Sequence, residues 1–186
     1  MPKEADLSDV FFVSDNEGWI TSSSIAEIYH TTDGGETFST QVTSLGTSTG
    51  AIYMIDENDG YAGGASGFVY RTSDGGQNWT FLGAISSTLT DIDFASDTIG
   101  YACGDGGAVF SITPEGVTNL NSGQLTFFSG ICSPSENNVW ICGGNDVMYY
   151  NGVTFSFQSG PGGTYNDIFF VNDQEGWIVG KNANLV

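Results

Sequence analysis

Positive charge is almost absent from this chain of 186 residues. Lys3, Arg71 and Lys181 are its only lysines and arginines, against 22 Asp and Glu residues, and the formal net charge is −19. A nucleic-acid-binding surface needs basic side chains to displace counterions from phosphates, and anionic membranes attract basic segments for the same reason. The composition therefore excludes nucleic acid and argues against anionic lipid as a partner. It predicts a solvated acidic surface, or alternatively an acidic face for a basic partner or for divalent cations.

Long apolar runs are also missing. No stretch approaches the 18 apolar residues of a membrane-spanning helix, and no membrane insertion is expected. The start, Met1 to Asp6, lacks the basic region and apolar run of a signal peptide, so the chain either stays inside the cell or is a mature or trimmed form. The three cysteines, Cys103, Cys132 and Cys142, show no zinc-binding spacing and do not indicate a compartment.

One pattern of about 40 residues recurs five times. The chain has 27 glycines and only 4 prolines, and so many glycines indicate many turns. Each copy is an apolar run, an acidic turn, and a second apolar run that contains an aromatic residue. The first runs begin at Val10, Ile52, Ile92, Ile131 and Ile168; the aromatics are Trp19, Tyr61, Tyr101, Trp140 and Trp177. Each copy is typical of a β-hairpin, and we expect the five aromatics to be core residues.

Two more strands are predicted in each of the first four copies. The third strands are Glu27–His30, Phe68–Arg71, Ala108–Ser111 and Val147–Tyr150; the fourth are Thr37–Gln41, Asn78–Leu82, Val117–Leu120 and Thr154–Phe157. Nowhere does a helical apolar period persist. Four antiparallel strands per repeat predict an all-β fold, a β-propeller of four full blades plus a partial fifth. The chain is interpreted as one propeller domain or part of one, with repeats near 8–49, 50–88, 89–127, 128–164 and 165–186.

The fifth repeat is incomplete in this sequence, because Trp177 lies nine residues before Val186. Counting nine residues from Trp19 reaches Ile28, inside the third strand of the first repeat. An unfinished blade leaves strand edges unpaired. We therefore expect a fragment of a longer propeller, or self-association in which another copy of the chain completes it. A five-bladed monomer with an incomplete last blade is the alternative.

The turn between the third and fourth strands carries the most specific motif. It occurs as T-T-D-G-G-E-T-F from Thr31 and as T-S-D-G-G-Q-N-W from Thr72, 41 residues apart. The hydroxyl and carboxylate can accept backbone N–H groups across a tight turn, and glycine supplies positive φ. The defining positions are Thr31, Asp33, Gly35, Thr37 and Phe38, and Thr72, Asp74, Gly76, Asn78 and Trp79. Both turns resemble the Asp-box, or BNR, repeat, whose role is structural.

The hairpin and turn patterns together resemble the photosystem II assembly/stability factor-like propellers. The similarity is clearest over Val10–Phe38, Ile52–Trp79 and Ile168–Gly180. It implies a propeller that binds a partner without catalysis and that is exported to the periplasm or the cell surface. Photosynthetic members present an arginine-rich patch to their partner. Arg71 is the only arginine here, so that particular function is not expected.

The same residues bear on two classes of propeller enzyme, the sialidases and the glycanases. A sialidase clamps its substrate carboxylate with three arginines, so that activity is rejected. A glycanase needs only two carboxylates across a groove, and candidates near strand ends are Asp91, Asp93, Asp105, Asp146 and Asp167. Asp91 and Asp167 align between repeats, which favours a structural cap. A cysteine–histidine pair is not expected, because the single histidine, His30, is a strand residue next to the turn motif.

The preferred hypothesis is therefore a non-enzymatic propeller that serves as a protein-interaction or assembly scaffold outside the cytoplasm. A carbohydrate-binding or glycan-cleaving propeller is the alternative. No cofactor is expected, although the acidic hairpin turns predict weak Ca²⁺ binding. The nearly uncharged loops at 39–50, 80–90, 121–125 and 158–164 are the predicted binding side. Tyr165, Phe127 and Phe128 are the aromatic candidates there.

Overall fold

The computed structural model describes residues 5–42, 47–124, 126–160 and 162–182. In these ranges the backbone is β-strand and turn, with two single-turn 3-10 segments at Ala65–Gly67 and Asp105–Gly107. The strands are β1 (Leu7–Phe12), β2 (Gly18–Ser22), β3 (Glu27–Thr31), β4 (Ser39–Val42), β5 (Thr49–Met54), β6 (Asp59–Gly64), β7 (Phe68–Ser73), β8 (Thr80–Ala84), β9 (Leu89–Ser96), β10 (Ile99–Gly104), β11 (Val109–Thr113), β12 (Gly116–Asn119), β13 (Gly130–Ser135), β14 (Asn138–Gly143), β15 (Asp146–Tyr150), β16 (Phe155–Gln158), β17 (Thr164–Asn172) and β18 (Glu175–Lys181).

Consecutive strands pair with one another into four four-stranded sheets and one two-stranded sheet. The sheets are blade 1 (β1–β4), blade 2 (β5–β8), blade 3 (β9–β12), blade 4 (β13–β16) and blade 5 (β17–β18). The prediction of four full blades plus a partial one is confirmed. The chain divides into two compact units: the first ends at Leu89 and holds blades 1 and 2, and the second begins at Thr90 and holds the later blades.

The predicted uncharged loops are shorter than expected. Ser39–Val42 and Thr80–Ala84 are strands, and Gln158 and Thr164 belong to β16 and β17. Strand pairing extends one residue beyond the predicted fourth strand, because Val42 still pairs with Glu27 in the ladder. Residues 43–46 and 125, parts of two of these loops, lie outside the described residues. So do residues 183–186, on which the prediction of an interrupted third strand in blade 5 falls.

The core lies between the sheets, where neighbouring blades within each unit pack face to face. In the first unit Trp19 and Ile28 of blade 1 pack with Ile52 and Met54 of blade 2, and all four are at most 2% exposed. In the second unit a similar cluster contains Phe128, Ile131, Val139, Ile141 and Met148. A fully buried side chain of this size contributes about 1.5–3 kcal/mol. Within each unit the repeat therefore folds because one blade covers the apolar face of the blade before it.

Candidate functional site

The two turn motifs are held by their own side chains. Thr31 Oγ1 accepts the N–H of Gly35 at 3.0 Å, and Asp33 Oδ1 accepts the N–H of Thr37 at 2.9 Å. Gly34 and Gly35 have φ of 72° and 91°, in the left-handed region that glycine adopts readily. Hydrogen bonds from the hydroxyl and N–H of Thr37 lower the pKa of Asp33 to about 2. The polar groups of this turn thus stabilise the turn itself.

The turn of blade 2 has the same internal bonds. Thr72 Oγ1 accepts the N–H of Gly76 at 2.8 Å, and Asp74 Oδ1 accepts the N–H of Asn78 at 2.8 Å. Hydrogen bonds from the side-chain amide and the N–H of Asn78 lower the pKa of Asp74. The aromatic that ends the motif, Trp79, is buried in the core of the first unit. Phe38 at the same position of blade 1 is half-buried.

The turn of blade 2 also links blade 2 to blade 1. The carbonyl oxygen of Gly75 accepts hydrogen bonds from Trp19 Nε1 at 3.1 Å and from Gln41 Nε2 at 2.7 Å. Gly76 lies so close to blade 1 that a Cβ added there would stand 2.1 Å from Gln41 Oε1. Glycine is thus required at this position both for its φ of 83° and for the close approach.

Aspartates form a second set of links between neighbouring blades. Asp9 Oδ2 accepts the N–H of Ile52 at 2.8 Å, and Asp91 Oδ2 accepts the N–H of Ile131 at 2.8 Å. In each case the other oxygen accepts the N–H of the following residue in the same strand. A carboxylate bonded to backbone N–H groups on both sides joins two sheets. Of the glycanase candidates, Asp91 has this role.

Asp93 is a second candidate that joins blade 3 to blade 4. It accepts bonds from the N–H and hydroxyl of Ser133 in blade 4, and burial raises its pKa. The other three glycanase candidates lie nearer the surface. Asp105 and Asp167 are exposed, and Asp146 begins β15 as a half-buried residue. Asp167 Oδ1 accepts the N–H of Ile168 at 2.8 Å, as Asp9 and Asp91 do in their own strands.

The cysteines and the histidine lie in separate environments. Burial raises the pKa of the Cys142 and Cys132 thiols to about 12, and it also raises the pKa of Cys103 well above its usual value. All three are free thiols. His30 stacks on Trp19 with ring centroids 4.7 Å apart, and its Nε2 lies 3.1 Å from Glu17 Oε1. These groups are core and edge contacts of the blades.

Two of the three aromatics predicted to bind a partner are core residues instead. Phe128 is 0% and Tyr165 2% exposed, and only Phe127 is accessible. The Tyr165 hydroxyl accepts the N–H of Gly162 at 2.9 Å, which turns the ring under the preceding loop. The prediction was wrong because an aromatic ring next to a loop can either lie on the surface or pack into the core. Packing into the core removes the apolar ring from water, and these two rings are buried.

In blades 1, 3 and 4 the aromatic of the hairpin points towards the next blade of the same unit. The Trp19 indole reaches Gly75 of blade 2, and the Tyr101 hydroxyl donates to the carbonyl oxygen of Glu136 in blade 4 at 2.6 Å. The Trp140 ring stacks on Phe170 of blade 5, with centroids 4.7 Å apart. We call this surface of a blade its forward face and the opposite surface its backward face.

Blade 5 has one covered and one exposed face. Phe169 pairs with Trp177 in the ladder and Ile168 with Ile178, so side chains alternate between the two sides. Ile168 and Ile178, on the backward face, are buried against blade 4. The forward face of blade 5 presents large apolar side chains to solvent: Phe169 (60% exposed), Val171 (55%), Trp177 (42%) and Val179 (46%).

Trp177 therefore corrects the prediction of five core aromatics. Trp19, Tyr61 and Tyr101 are buried and Trp140 is half-buried, but Trp177 is exposed because no further blade covers it within the described residues. The sequence contained a signal for this face. Phe169 and Val171 alternate with Ile168 and Phe170, which is a pattern apolar on both sides, and such a strand needs cover on both faces.

A small apolar cavity lies beside this hairpin. It has a volume of about 150 Å³ and its lining includes Trp140, Gln158, Gly160, Ile178 and Trp177. Gln158 pairs with Val147 in blade 4 as Gln41 pairs with Ile28 in blade 1. Trp140 and Gln158 are therefore the counterparts of Trp19 and Gln41, the two blade 1 residues that donate hydrogen bonds to the Gly75 carbonyl of blade 2. In blade 4 the Trp140 indole donates to Asn138 Oδ1 instead, at 2.7 Å.

Among the described residues there is no helix long and apolar enough to cross a membrane. Within the same ranges, no group of three or more His, Cys, Asp and Glu side chains is placed to hold a metal ion.

Comparison with solved structures shows a propeller fold. YCF48 bound to a D1 peptide matches with a TM-score of 0.55 and 15% identity, over 100% of this chain and 93% of that one. The WD40 propeller domain of Doa1 matches with a TM-score of 0.84 and 12% identity, over 100% of this chain and 66% of that one. A GH74 enzyme of Niastella koreensis matches with a TM-score of 0.73 and 15% identity, over 91% of this chain and 34% of that one.

No protein-family model matches the sequence, and no curated protein matches it either. The structural neighbours include both peptide-bound and enzymatic propellers, and the chain spans only about a third of the GH74 enzyme. At these identities the similarity concerns the fold alone. The chain has a β-propeller fold.

Proposed function

We propose that this chain is a non-enzymatic propeller module that binds other proteins through the forward face of blade 5. One observation carries the proposal: four large apolar side chains, 42–60% exposed, lie on one face of the β17–β18 hairpin. A contiguous exposed apolar surface on a water-soluble fold marks an interaction site, because its desolvation by a partner is favourable. The module would act as an interaction or assembly scaffold, outside the cytoplasm.

The same positions of blade 1 support this interpretation. Trp19, the counterpart of Trp177, is 0% exposed. Phe11, the counterpart of Phe169, is half-buried and packs against Tyr53 of blade 2, with ring centroids 4.6 Å apart and the rings tilted by 47°. The same pattern is thus covered by a neighbouring blade in blade 1 and accessible in blade 5. Covering the forward face of blade 5 would convert exposed rings into a contact that this chain already makes elsewhere.

Membership in the photosystem II assembly/stability factor-like propellers is part of the proposal. It is supported by the two turn motifs and by the fold shared with the peptide-bound YCF48 structure. The partner would differ from one that needs an arginine patch. Arg71 is held by Asp59 at 2.9 Å and lies over the Tyr61 ring, 5.9 Å from its centroid, so its charge is used within blade 2.

A selection experiment tests the proposed site. Proteins displayed as fragments on phage are selected for binding to the whole chain, and their affinities are compared for the wild type, Phe169→Asp and Phe157→Asp. Phe157 is the matched control, since it is 56% exposed on β16 of blade 4. Burying a charge against apolar groups costs several kcal/mol, so Phe169→Asp is expected to weaken the selected ligands at least about tenfold and Phe157→Asp to leave them unchanged.

The opposite result points to another surface or to another function. Ligands that bind Phe169→Asp as tightly as wild type would place the binding site elsewhere and contradict the proposal. Hydrolysis of a glycan panel that disappears in Asp91→Asn or Asp93→Asn would support the carbohydrate alternative. No cofactor forms part of the proposal, and weak Ca²⁺ binding by the acidic hairpin turns is to be tested by calorimetric titration.

A further inference from the structure

Exposed apolar side chains concentrate on two surfaces of the described structure. Eleven large apolar residues are exposed, and seven of them lie on β1 or on blade 5. On blade 5 they form the forward face. On β1 they are Leu7 (53% exposed), Val10 (56%) and Phe12 (41%). Val10 and Phe12 alternate with Phe11, which packs on blade 2, so they belong to the backward face of blade 1.

These two surfaces correspond to the two halves of a contact that is already present inside the chain. Where blade 1 meets blade 2, the forward face of blade 1 contributes Trp19 and Phe11. The backward face of blade 2 contributes Ile52 and Met54, each 2% exposed. Val10 and Phe12 occupy the positions of Ile52 and Met54 in the repeat, as Phe169 and Trp177 occupy those of Phe11 and Trp19.

We propose that the forward face of blade 5 packs on the backward face of blade 1 of a second copy, head to tail. This inference rests on the proposed function and names a second copy of the chain as the partner. The contact is heterologous, so each added copy leaves one face of each kind open. The assembly grows into a ring if the rotation closes and into an open chain of copies if it does not.

Charge limits the strength of this contact. Inside the chain, Asp9 and Asp91 each bond the N–H of a residue in the next blade, and the residue before that N–H is small, Ala51 or Gly130. At the proposed contact Asp167 instead meets Asp9 of the second copy. The Val10 N–H there already donates to Asp9 Oδ1 at 2.8 Å.

Two facing carboxylates and a net charge of −19 on each copy oppose association. Added salt screens both effects and should strengthen self-association, in contrast to binding of a basic partner, which salt weakens. Asp167→Ala removes one of the two facing carboxylates and leaves the bond from the Ile52 N–H to Asp9 in place. It should tighten self-association by about tenfold, whereas removal of the exposed charge in Asp105→Ala should change it little.

Mass measurements on the full chain test the proposal. Light scattering behind size exclusion, over a range of concentrations at low and high salt, should show concentration-dependent association of the wild type. Phe169→Asp blocks the forward face and Val10→Asp blocks the backward face, so each variant alone should be monomeric. Their mixture retains one open face of each kind and should form a 1:1 dimer that grows no further. Phe157→Asp should assemble like the wild type.

Each other outcome is decisive. A wild type that is monomeric under all conditions, while displayed ligands still require Phe169, overturns the second copy as partner and leaves the proposed function in place. Association that persists in Phe169→Asp, or a mixture that does not form the dimer, also overturns head-to-tail packing. An Asp167→Ala variant that associates no more tightly overturns the proposed register. If Phe169→Asp alters neither self-association nor ligand binding, the proposed function fails as well. Circular dichroism of each variant verifies that it is folded.

Discussion

The contact between the turn of blade 2 and blade 1 predicts a difference between two glycine substitutions. Gly35 and Gly76 occupy the same position of the two turn motifs and have φ of 91° and 83°. In blade 1 a Cβ on Gly35 would find its nearest neighbour, Phe38 Cζ, at an ordinary 3.7 Å. In blade 2 a Cβ on Gly76 would meet Gln41 Oε1 at 2.1 Å. Only the second substitution disturbs the link between blades.

The expected magnitudes follow from that geometry. Alanine at positive φ costs about 1–2 kcal/mol, partly offset by about 0.4–1 kcal/mol from the lower entropy of the unfolded chain. Gly35→Ala should therefore destabilise by about 1 kcal/mol. Gly76→Ala has the same backbone cost and also displaces the Gln41 side chain. The hydrogen bond from Gln41 to the Gly75 carbonyl is then lost, which costs about 1 kcal/mol more. Its total should be about 2–3 kcal/mol.

Reversible urea unfolding, followed by tryptophan fluorescence, measures the difference. Trp19 and Trp79 lie in the core of the first unit and report on it directly. The reasoning is refuted if both alanine variants unfold at the same midpoint, because the contact with blade 1 would then contribute nothing. The double variant Gln41→Ala/Gly76→Ala should recover part of the loss, since the clash is removed with the side chain.

Three further results are expected. Asp91→Ala should destabilise the fold by about 1–3 kcal/mol in urea, because it orphans the N–H of Ile131, whereas Asp167→Ala, exposed on its forward face, should change the stability by less than about 1 kcal/mol. The pKa of Asp33 falls from 3.8 to about 2 on folding, so its contribution to the free energy of unfolding is present above pH 4 and is lost between pH 4 and pH 2. The wild type should therefore lose stability faster than Asp33→Asn in that range. Stability curves against pH that run parallel for the two proteins would contradict the hydrogen bonds assigned to Asp33. Burial raises the pKa of Cys142 to about 12, and all three cysteines are buried free thiols. A disulfide reagent at pH 8 should therefore modify all three thiols in denaturant and none of them in the native protein. Fast labelling of the native protein would show that the thiols are accessible and would contradict the packing of these blades.

Much of the repeat architecture could be predicted from local patterns. A hairpin is specified by residues adjacent in sequence, so the pairing of Phe11 with Trp19 and of Phe169 with Trp177 follows from the turn between them. The internal bonds of the turn motif, such as Thr31 to Gly35, are equally local. Strand ends were less certain, since β4 and β8 continue into segments interpreted as loops. The ladder to the third strand, not the composition of the segment, determines where those strands end.

Contacts between blades could not be predicted in the same way. In the sequence, Asp9 and Asp91 are acidic residues near the starts of strands, with nothing that marks them as links between blades. In the structure, the Oδ2 atom of each accepts an N–H from Ile52 or Ile131 in the next blade. Tyr165 and Phe128 looked like loop aromatics, but both are buried in cores formed by separate strands. Whether a side chain on the face of a sheet is buried or exposed depends on the sheet that covers it. The sequence of a single repeat does not contain that information.

The sequence by itself determined the repeat, the number of strands in each copy, the chemistry of the turns and the acidic character of the surface. It did so because the hairpin and turn bonds join residues that are close in the chain. Only the tertiary structure decided that Trp19 is a core residue and Trp177 an exposed one, although both stand at the same place of the same pattern. Burial is a property of the neighbouring sheet, and the forward face of blade 5 has no such neighbour within the described residues.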